Sequence, residues 1–197
     1  MKQDLKTREV LERDEDEGLT RKEYDDLQKY IIFRTYLKFP VRNDFAHCIV
    51  IKQKAYDKLS EEEKKADNFL VTYNRGRRKF HINSFKNSRR VGSKVFEIPL
   101  DLNKEITHFL KFNKSGYFVT LSDRTTPISP NSLGALLIRI SREYLGKRIS
   151  SSMLRHIIIS HANKGKPTIL QKEADEKKIE DTYLHSGMMN DLYTKKD

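Results

Sequence analysis

The chain has one cysteine, Cys48, among its 197 residues. An internal disulfide framework is therefore excluded, and with it the small secreted folds that depend on one. No run approaches the roughly 18 apolar residues that a membrane-spanning helix needs, and the opening stretch MKQDLKTREV is not a secretion signal. These absences predict a protein without a membrane span, held in a reducing compartment inside a cell, cytoplasm or nucleus. His47, His81, His108 and His161 lack a Cys or carboxylate partner at metal-ligand spacing, so no metal site is expected. Internal repeats and low-complexity linkers are missing as well, which leaves one compact unit as the expected organisation. What is present suffices for that: 37% hydrophobic residues with ten Phe and nine Tyr can build a core, and 34% charged residues give a heavily solvated surface.

Acidic residues are scarce in one region only. The formal charge is +11, yet residues 1–28 hold ten acids and six bases, so the remainder carries 33 bases against 18 acids, or +15. Within that remainder the segment NRGRRKFHINSFKNSRRVGSK, from Asn74 to Lys94, has eight Lys or Arg and no acid. Arg75, Arg77, Arg78, Lys79, Arg89, Arg90 and Lys94 are the side chains in it that suit phosphate contact, and a polyanion is the partner they imply. A basic face kept only for solubility has the same composition.

Residues 1–19 lack apolar periodicity and read as an acidic, loosely ordered arm or a poorly packed helix. Order is expected from Thr20, where TRKE supplies a capping box ahead of YDDLQKYIIFRTYLKF, a helix that must end before Pro40. HCIVIK suits a strand and LSEEEKKAD a capped polar turn. NFLVTY, RKFHINSF and KVFEIPL suit three short strands joined by turns at NRGR and NSRRVG. LDLNKEITHFLKF reads as helix, GYFVTLS as extended, and SPNSLGALLIRISREYL as a helix opened by Ser129 and Pro130. SSMLRHIIISHAN, EADEKKIEDTYL and MMNDLYTKK complete the helices. The expected class is α+β, mainly helical, with a small antiparallel sheet.

Arg155 stands in an apolar helical run and needs an anionic partner, either a structural carboxylate or a ligand. Arg42, at the end of the first strong helix in KFPVRNDF, raises the same question. Two arginines, a lysine on a basic hairpin, a histidine and a tyrosine near the terminus together suit phosphoryl transfer.

Those residues carry a resemblance. MLRHIIISHA resembles the Leu-Arg-His box of the tyrosine recombinases, the phage-integrase family, and LHSGMMNDLY resembles that family's closing His-to-Tyr box. FPVRNDF occupies the place of the first Arg box, and INSFKNSRRVGSKVFEIPL is similar to the hairpin that carries the catalytic Lys. The match runs over residues 22–197, and its SFKNS and IP details are nearest to versions from large DNA viruses and mobile elements. The resemblance implies a catalytic domain over 20–197 that cleaves and rejoins double-stranded DNA through a 3′-phosphotyrosine. It implies Tyr193 as nucleophile, Arg42 and Arg155 on the non-bridging oxygens, Lys86 as the acid for the leaving 5′-oxygen and His185 as a phosphate donor. No cofactor is implied, because one phosphodiester replaces another.

Two positions depart from the family's pattern. Ser152 stands where a His is usual, three residues before Arg155, and a hydroxyl is a poor base. Asp44 lies two residues after Arg42 where an acid three after is common. His156 follows Arg155 and points about 100° away on a helix, as a packing residue does. Lys79 is the second choice for the acid, Tyr183 a weak rival nucleophile, and Met188 and Met189 suit core filling. Family members usually carry a helical DNA-binding domain before the catalytic one, and none is apparent here. Only residues 194–197 follow Tyr193, too few to exchange with a neighbour, so a monomer in free solution that meets other protomers on DNA is expected. A type IB topoisomerase-like relaxase, or a catalytically impaired DNA-binding relic, uses the same residues and stays open.

Overall fold

The computed structural model describes residues 1–163; the expected last two helices, His185 and Tyr193 lie outside them. The fold is built around one helix, α2 (Arg21–Lys38), which begins at the expected capping box. Glu23 N donates to Thr20 Oγ1 at 3.3 Å while Thr20 N donates to the Glu23 carboxylate at 2.9 Å. Its neighbours bury several sides of it: Tyr24, Leu27, Tyr30, Ile31, Ile32 and Tyr36 are all covered. A helix apolar around much of its circumference is a central one. Helices α1 (Lys2–Thr7), α6 (Leu100–Phe112), α7 (Pro130–Leu145) and α8 (Ser151–Asn163) pack against it. Helix α7 opens on Ser129, whose hydroxyl accepts from Ser132 N at 3.2 Å, and closes on Gly146 in the left-handed region at φ 66°.

A four-stranded sheet covers the end of α2, in the order β1 (Ile49–Lys52), β2 (Phe69–Thr72), β3 (Arg78–Ile82), β4 (Lys94–Glu97). It is mixed where an antiparallel sheet was expected: β2, β3 and β4 form the antiparallel part, but β1 runs parallel to β2, with Ile49 opposite Phe69. A parallel pair needs a crossover, and residues 53–68 provide it through α3 (Gln53–Tyr56) and α4 (Glu61–Ala66). The expected polar turn is thus a short helix capped by Ser60 and Glu63. GYFVTLS runs beside β1, Phe118 N donating to Cys48 O at 2.7 Å, and forms only isolated bridges. Sheet and helix meet in an aromatic cluster in which Phe45 lies 5.3 Å from Tyr36 and 4.7 Å from Phe80 between ring centres.

The first nineteen residues differ from the loose arm expected of them. Leu5 and Val10 are fully buried, and Arg8 to Asp26 (3.0 Å), Arg13 to Glu23 (2.8 Å) and Lys2 to Glu105 (2.9 Å) tie the segment to α2 and α6. Two of its acids pair with bases distant in sequence, Asp14 with Lys111 at 3.5 Å and Glu15 with Lys114 at 2.8 Å.

Candidate active site

The site grows from the C-terminal end of α2. Pro40 stops the helix, and Val41 and Phe45 are buried on either side of Arg42, so the backbone between them is held. Tyr36 Oη donates to the Arg42 carbonyl at 2.7 Å, and Arg42 N donates to Asp44 Oδ2 at 3.1 Å. Asn43 Nδ2 reaches the Pro130 carbonyl at 2.8 Å, which brings this loop onto the start of α7. The approach there is close at Gly134, where a Cβ would meet Asn43 Nδ2 at 3.0 Å and press on that amide.

Asp44 is the centre of the charge arrangement. Burial pushes its carboxyl up to about 6, against the pull of the Arg42 backbone N–H and the positive charges of Arg42 and Arg155. Two guanidiniums 113 positions apart in sequence therefore act on one carboxylate. Arg155 is 4% exposed on α8, on the side that also buries Leu154 and Ile159. The spacing of Asp44 from Arg42 departs from the family's usual one, yet its carboxylate accepts from Arg42 N and lies within the influence of both positive charges.

A cavity of about 390 Å³ opens beside this group, lined by Arg42, Asn43, Asp44, His47, Asn68 and Ser84 among others. Two of its residues, His47 and Asn68, carry no signal in the sequence. His47 is exposed and its backbone sits in the left-handed region at φ 54°, a conformation uncommon outside glycine. Its only local mark is the absence of a metal partner, which points away from function. Asn68 is buried just before β2, and its partners lie 24 and 16 residues away.

Lys86 is exposed in the connection between β3 and β4, which puts it on an antiparallel hairpin, at the end of the sheet that holds Asn68 and Ser84. Phe85 packs partly into the core just before it. Ser152 is exposed in the first turn of α8, and His156 is half-buried. His185 and Tyr193 lie outside the described residues.

The basic stretch does not form one surface. Arg75 and Arg77 are exposed in the turn between β2 and β3, whereas Arg89 and Arg90 are exposed in α5 (Ser88–Val91), at the other end of β3. Lys94 opens β4 on that second side, half-buried. Arg78 turns inward: its guanidinium donates to Thr107 Oγ1 at 2.6 Å and Asn103 Oδ1 at 3.4 Å, and burial lowers its pKa. Lys79 pairs across the strands with Glu97 at 2.6 Å and lies 5.7 Å from the Tyr73 ring centre. Burial pushes the Cys48 thiol well up, which removes it as a nucleophile. A larger cavity, about 950 Å³, lies between α2, α7 and the loop at Thr120; it carries both signs of charge and none of the candidate catalytic or phosphate-contacting residues.

A mainly helical α+β domain with two arginines whose charges act on one half-buried acid, and a lysine on an adjoining hairpin, is the class the fold and the site define. No protein-family model matches the chain, and no curated protein matches it in sequence. Its fold is similar to that of the crystal structure of XerA recombinase, with a TM-score of 0.54 at 12% identity over 91% of this chain. The chain spans 58% of the length of that recombinase. It has a recombinase-like fold.

Proposed function

We propose that residues 20–197 form the catalytic domain of a tyrosine recombinase or integrase acting on double-stranded DNA, with the first nineteen residues packed on it. The observation that carries this reading is the loop of Arg42 and Asp44 held by Asn68 at the root of the hairpin that bears Lys86, with the charges of Arg42 and Arg155 both acting on the Asp44 carboxyl. Two fixed guanidiniums suit the non-bridging oxygens of a phosphodiester as its phosphorus becomes five-coordinate, since a planar fork matches two oxygens where an ammonium matches one. The Tyr193 phenolate oxygen attacks phosphorus while the bond to the 5′-oxygen breaks. Lys86 delivers a proton to that oxygen and His185 donates to a phosphate oxygen. The bond energy is kept in the phosphotyrosine, so a second DNA hydroxyl reseals it without a cofactor. Ser152 is exposed and cannot serve as an efficient base, so the Tyr193 proton passes to water or to a neighbour.

Incubation with a nicked suicide duplex followed by denaturing electrophoresis tests the reading. A protein–DNA adduct lost in Tyr193→Phe is the expected result, with DNA affinity kept within a few-fold. No adduct from the unsubstituted protein would refute it in favour of a DNA-binding relic. Adduct together with relaxation of any supercoiled plasmid, independent of sequence, identifies the relaxase instead.

A further inference from the structure

We infer that Asn68 is a positioning residue for catalysis: its side chain locks the root of the hairpin bearing Lys86 to the loop bearing Arg42. The inference rests on the recombinase reading above. Asn68 is 7% exposed, and its amide is fully used. Nδ2 donates to the Asp44 carbonyl at 2.8 Å and to the Ser84 carbonyl at 2.9 Å, while Oδ1 accepts from Asn83 N and Ser84 N, both at 2.8 Å. Asp44 is two residues beyond Arg42, and Ser84 two residues before Lys86. One side chain therefore spans the two segments that carry the phosphate-gripping charge and the proton donor. Its own backbone carbonyl accepts from Ile49 N at 2.8 Å, which fixes it to the start of β1.

No other side chain reproduces this. Two carbonyls need two donors and two N–H groups need an acceptor, on a stem of this length, and only a primary amide supplies both. Lys86 itself is exposed, in a connection that includes α5. The placement of its ammonium relative to Arg42 thus depends on what holds the root of that connection. A displacement of about 1 Å in a catalytic group costs on the order of a hundred-fold in rate.

The consequence is specific to one step. Lys86 protonates the 5′-oxygen as its bond to phosphorus breaks, giving a free 5′-hydroxyl. If sulfur replaces that bridging oxygen, the leaving thiolate has a conjugate acid pKa of about 8.5 and departs without a proton. A defect in the position of Lys86 then disappears, whereas a defect in folding, in the arginines or in the nucleophile persists.

The test measures adduct formation by the full chain on a nicked duplex with either a phosphodiester or a 5′-bridging phosphorothiolate at the cleavage site. Asn68→Ala, and the isosteric Asn68→Asp, which keeps the acceptor and removes both donors, are expected to slow cleavage of the phosphodiester at least ten-fold. They are expected to cleave the phosphorothiolate within about three-fold of the unsubstituted protein, as Lys86→Ala does. Tyr193→Phe fails on both. Loss on both substrates alike in the two Asn68 variants, or on neither, overturns the inference while leaving the recombinase reading intact. Absence of adduct from the unsubstituted protein on both substrates refutes that reading and this inference with it.

Discussion

Asp44→Asn is expected to make the protein more stable and less active. Holding a carboxyl at about 6 instead of its ordinary 3.8 means that burial disfavours the ionised form even with Arg42 and Arg155 acting on it. At about 1.4 kcal/mol for each tenfold, that penalty is about 3 kcal/mol at neutral pH. The folded protein binds a proton that the unfolded chain has already released, so stability falls as the pH rises from about 4 to about 6 and the full loss is present above pH 7. Asn mimics the protonated acid in shape and keeps an acceptor for Arg42 N. Allowing about 1 kcal/mol for imperfect hydrogen bonding, the substitution is expected to gain about 2 kcal/mol at pH 8, or roughly 4–8 °C in Tm for a chain of this size. At pH 5 about half of the 3 kcal/mol remains, so the gain shrinks. Adduct formation is expected to fall at least ten-fold at pH 8, because the two guanidiniums lose the charge that orients them, and to change little at pH 5, where the carboxyl of the parent is itself mostly protonated. Urea melts at pH 5 and pH 8, paired with the suicide-duplex assay, measure both. A variant less stable than the parent at pH 8, or a stability difference that does not change with pH, refutes the reasoning about the buried carboxylate.

Arg42→Lys and Arg155→Lys should each reduce cleavage at least ten-fold with little change in DNA affinity, since a point charge replaces a planar fork; near-normal cleavage in single-turnover assays makes the arginines structural. Changing Arg89 and Arg90 to Ser should lower the slope of log affinity against log salt by about one to two, and Arg78→Ser should leave it unchanged. Equal slopes for the parent and the double variant move the DNA surface elsewhere. Deleting residues 1–13 removes the fully buried Leu5 and Val10 and the three ion pairs that tie the segment to α2 and α6, and about 3 kcal/mol or more of stability should go with them. A thermal melt unchanged by the deletion means the segment contributes nothing to the fold.

Much of the fold is legible locally because its signals are local. Thr20 with Glu23, Pro40, and Ser129 with Pro130 mark helix ends within a few residues of each other, and the structure places the ends there. The parallel pairing of β1 is invisible in the same way that it is real: Ile49 and Phe69 meet only through a crossover whose direction no short pattern encodes. The N-terminal segment escapes for a related reason. Its buried apolar side chains, Leu5 and Val10, fit no helical or strand period; its bases find partners at 23, 26 and 105, and its acids Asp14 and Glu15 at 111 and 114. In the candidate site, Arg42 and Arg155 are conspicuous as charges among apolar residues. Asn68 is one ordinary amide before a strand, and its meaning lies wholly in the two loops that it joins. Arg78 shows the converse, a base in a basic run whose donors are used within the chain.

The separation of the two exposed arginine pairs by β3 sets a length. From Arg77 to Arg89 the chain must traverse the strand Arg78–Ile82 and its flanks, about 20 Å at roughly 3.3 Å per residue. On B-form DNA, at about 3.4 Å per step, that is some six base pairs, more than half a helical turn. On the proposed reading, a duplex aligned with the strand turns through more than half its pitch between the two ends of the sheet, and a chemical footprint of this domain is expected to divide into two protected patches rather than be drawn out as one.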